Sequence, residues 1–342
     1  MRPSLRPGLF LLLSGVAFSH PWAETLDDCV RIADNSQRLA CFDRLAAAQG
    51  MGKAEKENRR MAPIPVPPER TATAGERDGQ RLAQHWELGP ESKRGLFAFR
   101  PHQDNYVLLA NYSFAPNAAP FSPLAGLIPQ GDGLSHTELK FQLGFKMKLL
   151  EDVAPTHTDL WLGYTQQSYW QAYNRKASSP FRETDYQPEL MAVTPVDFPV
   201  LGMHARFLNV GLVHQSNGRA STLSRSWNRI YVQAGLEKGN FILLGRAWKR
   251  LPDSTGGDDN PDILDFMGQG DVSAFYRWRG QEFSALARHN FRTNRGALQL
   301  GWAFPFVERL KGYVQVFSGY GQSLIDYNYS QKTIGLGVLI DY

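Results

Sequence analysis

The sequence predicts an all-β chain: a transmembrane antiparallel β-barrel of about twelve strands, with a short N-terminal helical extension. Three observations carry this reading. From about residue 96 onward, short segments alternate in period two between polar or Gly/Pro/Asp-rich turns. In Glu138–Lys148, Leu139, Phe141, Leu143, Phe145 and Met147 share one face, while Glu138, Lys140, Gln142, Gly144 and Lys146 share the other. Charges at alternate positions suit a polar lumen and rule out a sandwich core on that side. No internal run reaches the ~20 apolar residues that a spanning helix needs. Yet aromatics make up 12% of the chain and mean hydropathy is −0.37, the combination that alternating membrane strands produce. At the end of the chain, Ile334, Leu336, Val338, Ile340 and Tyr342 form an apolar alternate row. As the edge of a soluble sheet that row invites aggregation, and closure into a barrel removes the edge.

Residues 1–23 read as a secretory signal. Arg2 and Arg6 supply a positive start, Leu9 to Phe18 a short apolar core, and cleavage after Ala23 is expected. A membrane anchor fits less well, because the apolar run is too short. Residues 24–50 read as a small helical hairpin holding the only two cysteines, Cys29 and Cys41, which an oxidising compartment is expected to join. Two thiols without a nearby histidine make a poor metal site. Residues 51–95 read as a flexible linker and lead-in, charge-rich from Lys53 to Arg60 and proline-dense from Pro63 to Pro68. The chain carries 37 basic against 33 acidic residues, net +4, and loss of Arg2 and Arg6 leaves +2, a balance that suggests no nucleic acid.

Residues 96–342 read as the barrel. Strands are expected near 104–114, 138–148, 159–170, 187–195, 205–216, 226–237, 239–250, 265–279, 281–291, 296–304, 310–320 and 332–342. Bacterial single-chain barrels have even strand numbers. The segment ending at Pro195 is the weakest of these, since proline cannot donate to a central ladder.

The candidate chemistry lies in the hairpin near residues 205–237. His214 and Ser216 are two residues apart on a strand, so they share a face with Cα atoms ~6.6 Å apart. Asn228 follows on the return strand, where its side-chain carbonyl can hold the imidazole. Nucleophile, base and orienter then follow triad logic with Asn in place of Asp. Stepping back from Ser216 by twos gives His214, Leu212, Val210 and Leu208; stepping forward from Asn228 gives Ile230, Val232, Ala234 and Leu236. All three residues lie on the more apolar face, the lipid side of a barrel wall. An isolated His-x-Ser is most often an ordinary strand end; the matching Asn is what gives this one weight.

The strings His214-Gln215-Ser216-Asn217-Gly218-Arg219 and Ser224-Arg225-Ser226-Trp227-Asn228-Arg229 resemble the outer-membrane phospholipase A family of Gram-negative bacteria. So do Tyr164-Thr165-Gln166, Ser178-Ser179-Pro180-Phe181-Arg182-Glu183-Thr184, Asp258-Asp259-Asn260-Pro261-Asp262-Ile263, and the run from Ser318 to Asn328. The row ending at Tyr342 likewise resembles the last strand of assembled outer-membrane proteins. The resemblance covers most of residues 100–342 and excludes the cysteine hairpin and linker. It implies a twelve-stranded outer-membrane barrel with its active site on the outer wall near the extracellular rim. It also implies hydrolysis of acyl esters of phospholipids and lysophospholipids (A1/A2 activity), a need for calcium (Ca2+), and a homodimer. Matched position by position, Ser216 is the nucleophile, His214 the base and Asn228 the orienter, and the Gly218 amide helps form the oxyanion hole. Calcium is expected from the Ser224 side chain and the Arg219 carbonyl, with Ser178 supplied by a second subunit. Gln166, on an otherwise apolar outward row, is expected to find its partner across the dimer interface. Asp258, Asp259 and Asp262 offer further carboxylates, although three acids in a polar loop are more often a solvated turn.

Two other readings compete. A passive porin-like barrel would put its working residues, such as Lys140, Lys146, Arg229, Gln233 and Arg277, along the lumen. A soluble secreted esterase lacks support, because no Gly-x-Ser-x-Gly elbow is present.

Overall fold

The structure is a computed structural model and describes residues 26–50, 80–130, 133–153, 155–252, 258–307 and 309–340. The expected signal segment, most of the expected linker, and Tyr342 lie outside the described residues. The chain divides into two units, Met1–Thr71 and Ala72–Tyr342.

In the first unit, helices α1 (Leu26–Val30) and α2 (Asn35–Gly50) are joined by the Cys29–Cys41 disulfide, whose sulfurs are buried. Asp34 starts α2. Its Oδ1 accepts from the Ser36 amide at 3.0 Å and the Gln37 amide at 2.9 Å, satisfying two amides that have no partner within the helix. An element of this size buries too little apolar surface to hold itself, and the disulfide supplies the staple.

The second unit holds α3 (Arg81–Trp86) and α4 (Ile263–Met267). Its strands are β1 (Phe99–Pro101), β2 (Tyr106–Ser113), β3 (Phe121–Ser122), β4 (Gly126–Leu127), β5 (Thr137–Leu150), β6 (Asp159–Trp170), β7 (Phe181–Val200), β8 (Met203–Ser216), β9 (Ser226–Lys238), β10 (Phe241–Leu251), β11 (Gly270–Trp278), β12 (Gln281–Asn290), β13 (Arg295–Val307), β14 (Leu310–Tyr320) and β15 (Ser330–Ile340). From β5 to β15 each strand pairs antiparallel with the next, β15 pairs with β2, and β2 with β5, so the ring closes. β1 lies on the same flank of β5, pairing Phe99 with Met147 where β2 pairs Tyr106 with Gln142. β1 and β2 are thus two pieces of one wall strand, and the barrel has twelve. β3 and β4 form a separate small hairpin. No helix among the described residues is long and apolar enough to cross a membrane.

Two strand expectations are corrected. β7 is twice as long as expected and runs straight through Pro188 and Pro195. The ladder shifts register between Pro195 and Phe198, where the missing amide leaves no bond to lose, and Pro188 pairs with Tyr164 on β6 and has no ladder partner on β8. The segment expected as a strand from residue 265 begins as α4, and β11 starts only at Gly270. Ile263, Phe266 and Met267 are buried against Leu324 and Tyr327, so helical spacing presents one apolar face inward.

Alternation sorts the side chains. On β8, Ala205, Phe207, Asn209, Gly211 and Val213 are buried inward, while Leu208, Val210 and Leu212 stand outward and exposed. Gly211 is needed where it is, because a Cβ there would collide with the inward ring of Tyr231. The interior is filled with paired charge. Glu189 accepts from the Tyr231 hydroxyl at 2.7 Å and faces His102 Nε2 at 2.7 Å. Lys148 lies 2.7 Å from Asp159, and Arg182 bridges Glu138 and Asp326. Lys140, Lys146 and Arg229 point inward as expected, into this packed interior.

Residues 80–95, expected as the end of a linker, are instead built into the barrel. Leu82, Ala83 and Trp86 on α3 are buried. The Trp86 ring lies 5.3 Å from that of Phe207, and Lys146 Nζ sits 3.5 Å from the Trp86 ring centroid. Arg81 donates its amide to Glu237 and ion-pairs with Glu282 at 2.6 Å. These partners lie at the ends of their strands opposite the His214–Asn228 hairpin, so α3 fills that mouth of the barrel. Trp86→Ala should lower barrel stability by about 3–5 kcal/mol, as large buried aromatics do. The measurement is the temperature of the gel-mobility shift in detergent, with exposed Gln84→Ala expected to leave it unchanged.

Candidate active site

The β8–β9 hairpin positions the candidate residues. His214 pairs directly with Asn228, and Ser216 with Ser226, at the end where β8 leaves the wall. His214 is exposed on the outward row, and Ser216 and Asn228 are half-buried beside it. His214 Nδ1 lies 2.9 Å from Asn228 Oδ1. An amide oxygen only accepts, so Nδ1 carries the proton and Nε2 is the basic nitrogen. Ser216 shares the row and makes no side-chain hydrogen bond among the described residues. The His214–Asn228 pair is therefore assembled, and the Ser216 hydroxyl is unengaged beside it.

The loop after Ser216 is held by a residue that sequence reasoning did not single out. Asn217 is buried, and its Nδ2 donates to Glu183 Oε1 and to the Leu223 carbonyl, both at 2.9 Å. Its Oδ1 accepts from the Arg225 amide at 3.0 Å and the Arg219 amide at 3.3 Å, and its own amide donates to the Arg225 carbonyl. One side chain thus ties both ends of the loop together. The signal was an Asn beside a positive-φ Gly, which marks a turn closed by a side chain. Gly218 has φ 64°, a conformation that costs other residues more, and a Cβ there would lie 3.1 Å from Tyr186. The amides on either side of Gly218 are engaged, whereas the Gly218 amide donates to nothing among the described residues.

Arg219 is fixed by its side chain, which ion-pairs with Glu183 at 3.0 Å and donates to the Arg182 carbonyl. Arg225 is fully buried and donates to the carbonyls of Thr222, Ser224 and Phe121. Burial lowers its pKa from the ordinary value, and those carbonyls offset the loss of water. Behind the catalytic row, Trp227 Nε1 and Arg229 both donate to Gln215 Oε1 at 3.0 Å, with the Arg229 guanidinium 3.9 Å from the Trp227 ring centroid.

The expected calcium residues are brought together in part. Ser224 Oγ donates to Asp259 Oδ2 at 2.6 Å, where a second loop, 258–262, meets the hairpin. Asn260 anchors that loop by accepting from the Ser226 amide at 3.0 Å. Asp258 is taken by Arg250 at 2.5 Å and Asp262 by the Tyr327 hydroxyl at 2.5 Å, leaving Asp259 as the carboxylate beside Ser224. Ser178 lies on another loop, at φ 59°, with no contact to Ser224 or Arg219 within the chain among the described residues. Gln166 is half-buried and bonded within its own strand, to the Tyr164 hydroxyl and to Ser168 Oγ, each at 3.1 Å.

If the chain has the activity that the resemblance implies, Asn217→Ala should leave a folded barrel and cut fatty-acid release from phospholipid by on the order of 100-fold, the cost of misplacing a reacting group by about 1 Å. Fatty-acid release and gel mobility measured on the same detergent preparation check this, with turnover near that of the unaltered chain as the contrary result.

Comparison with known proteins agrees with this geometry. The family model of phospholipase A1 matches residues 82–340. A putative phospholipase A1 of Neisseria meningitidis is 39% identical over 97% of this chain and 95% of its own length. Phospholipase A1 of Escherichia coli is 34% identical, over 72% of this chain and 82% of its own. Among solved structures, an outer membrane phospholipase dimer with bound calcium from Salmonella typhi superposes with a TM-score of 0.67 at 33% identity, covering 73% of this chain and 94% of that one. Outer membrane phospholipase A from Escherichia coli gives 0.66 at 34% identity, covering 72% and 99%. This chain belongs to the phospholipase A1 family and is a phospholipase built as a β-barrel of the outer membrane.

Proposed function

We propose that the chain is a calcium-dependent phospholipase that hydrolyses acyl esters of phospholipids and lysophospholipids through Ser216, His214 and Asn228. The observation that carries the reading is the His214 Nδ1–Asn228 Oδ1 contact of 2.9 Å on the outward row, with Ser216 on the same face. Asn228 holds Nδ1 protonated, so Nε2 takes the proton from Ser216 Oγ as the hydroxyl attacks the ester carbonyl. The new C–O bond gives a tetrahedral oxyanion, and the Gly218 amide is the donor placed to receive it. His214 then returns the proton to the leaving glycerol oxygen as that C–O bond breaks, leaving an acyl-serine. Water, deprotonated by the same nitrogen, releases the fatty acid.

Asn228 orients the imidazole without bringing a negative charge to stabilise the imidazolium, so the oxyanion side has to supply more. The Ser224 hydroxyl and the Asp259 carboxylate meet at 2.6 Å, and oxygen donors of this kind fit calcium. Bound there, calcium supplies positive charge near the developing oxyanion. Ser224, Arg219 and Asp259 of one subunit and Ser178 of a second are the residues proposed to hold it. That assignment makes the active form a homodimer packed along the wall that carries Gln166. Support comes from the calcium-bound dimer of the Salmonella typhi relative.

Ser216→Ala and His214→Ala should each lose on the order of 10⁴ or more in turnover while still folding, with Asn228→Ala one to two orders of magnitude milder, because it removes orientation and leaves the base. A fluorophosphonate or sulfonyl fluoride label on Ser216, located by mass spectrometry, checks the nucleophile independently of rate. Chelation should abolish fatty-acid release and added calcium restore it. Asp259→Ala should raise the calcium needed for half-activity by about tenfold, since ligand charge sets calcium affinity. Unchanged calcium dependence in that variant would remove Asp259 from the site.

A further inference from the structure

At the end of the wall opposite the His214–Asn228 hairpin, two adjoining cavities play no part in the proposed chemistry. The turns here are short, Gly239-Asn240 between β9 and β10 and Arg279-Gly280 between β11 and β12, as at the periplasmic end of outer-membrane barrels. The first cavity, about 330 Å³, opens beside these turns and is lined by Asn240, Arg277, Trp278, Arg279, Gln281 and Lys311 together with Gly280. Three of these side chains are cations, and no carboxylate lines the cavity among the described residues. Glu282, the next residue after Gln281, is shared by Arg81 at 2.6 Å, Lys311 at 3.2 Å and Arg277 at 3.4 Å, so one carboxylate serves three cations. Arg279 is exposed, 5.2 Å from the Trp278 ring centroid, and makes no ion pair among the described residues. A concave site with this lining attracts an anion.

The second cavity, about 360 Å³, is lined mainly by apolar side chains of the same strands. Register shows how it is built. Phe241 pairs with Tyr276, Tyr276 with Phe283 and Phe283 with Trp302, which sets an aromatic row across four strands. One outward step further from the turns, Ala274 pairs with Ala285, and two methyl groups leave a furrow beyond the aromatic row. Tyr276, Phe283 and Trp302 are exposed, and an aromatic girdle of this kind marks the depth where headgroups meet hydrocarbon. The two cavities are continuous along the strands. Trp278 and Gln281 pair beside the first, while Tyr276 and Phe283, next on the same outward rows, line the second. Trp302 joins them by donating its Nε1 proton to Gln281 Oε1 at 2.8 Å. A cationic cavity at headgroup depth thus runs into an apolar furrow at the depth of acyl chains.

We propose that these two cavities form one binding site for an anionic phospholipid, with its phosphate at Arg277 and Arg279 and an acyl chain in the Ala274–Ala285 furrow. Basic pockets at the membrane interface take lipid headgroups in this way, and guanidinium groups match phosphate oxygens. A free anion would use the first cavity alone, whereas a lipid uses both. Ser216 stands at the other end of its strand pair, so the lipid held here is bound and not hydrolysed. The site is independent of the catalytic reading.

The test titrates the whole chain in nonionic micelles with a dialkyl-ether phosphatidylglycerol, which has no ester to cleave, and follows binding by native mass spectrometry. One lipid should bind saturably, and the matching dialkyl-ether glycerol, which lacks the phosphate, more weakly by on the order of tenfold. Arg279→Gln removes a charge and Ala285→Phe fills the furrow. Each should weaken phosphatidylglycerol binding by on the order of tenfold, the size expected for one charge-assisted contact or one excluded chain segment. Lys332→Gln, which alters an exposed cation on another strand, should leave binding within about twofold. Unchanged binding in either site variant would overturn the assignment, as would inorganic phosphate or the dialkyl-ether glycerol binding as tightly as the lipid. An Ala285→Phe chain that loses dimers and keeps the lipid would also overturn it, giving the furrow to a second copy.

Discussion

Hydrocarbon offers no partner to a backbone amide or carbonyl, and the rest of this structure depends on that constraint. A strand with an open edge cannot sit in a bilayer, so the β2–β15 and β2–β5 pairings that close the ring are required for the wall to exist. Closure then divides the side chains into two populations by parity alone. Residues of one parity meet lipid and are mostly apolar. Those of the other parity meet each other across a narrow interior, where Glu189, His102, Tyr231, Lys148 and Asp159 satisfy one another. A lumen packed this way leaves a lipid substrate no route inward. Hydrolysis of a membrane lipid on this fold therefore belongs on the outer wall, at the depth of the ester bonds.

That location suits the composition of the row proposed to be catalytic. A carboxylate at position 228 would put a formal charge on the lipid-facing side, half-buried. An amide gives the same hydrogen bond to Nδ1 and costs far less to hold there. In the proposed mechanism the consequence is a weaker stabilisation of the imidazolium, which shifts the electrostatic work to the oxyanion side of the reaction. The unengaged Gly218 amide and the oxygen cluster of Ser224 and Asp259 lie on that side of the hairpin.

The barrel was legible because its signal is repeated twelve times with period two, and an error at one strand does not propagate. That residues 214, 216 and 228 share the outward row was legible for the same reason, since parity follows from counting. What escaped was set by tertiary context. Pro195 read as a strand end, yet a register shift let β7 continue past it. Residues 81–86 sat in a polar stretch that gave no reason to expect packing. Their partners Phe207, Lys146 and Glu237 come from strands far along the chain, so their burial is visible only after closure. Residues 263–267 carried apolar side chains compatible with either period over five positions, and contact with Leu324 and Tyr327 decided for the helix.

The loop at 217–225 lies outside the ring but is held from within it. Glu138 and Asp326 grip Arg182 inside the wall, and the next residue, Glu183, accepts from Asn217 and from the Ile325 amide while pairing with Arg219. Asp185, one inward step further along β7, accepts from the Leu324 amide. The inward row of β7 therefore connects the loop at 321–329, the charged interior and the loop at 217–225. Each of these bonds is sheltered from water, where a charged contact is worth more and a lost partner costs more. A surface loop with no such connection would sample many positions for Gly218 and Arg219. Fixed to the interior through Asn217, this loop holds its Gly218 amide and Arg219 carbonyl in one place. The packed interior, closed to substrate, thus holds the geometry of a site proposed to lie outside it.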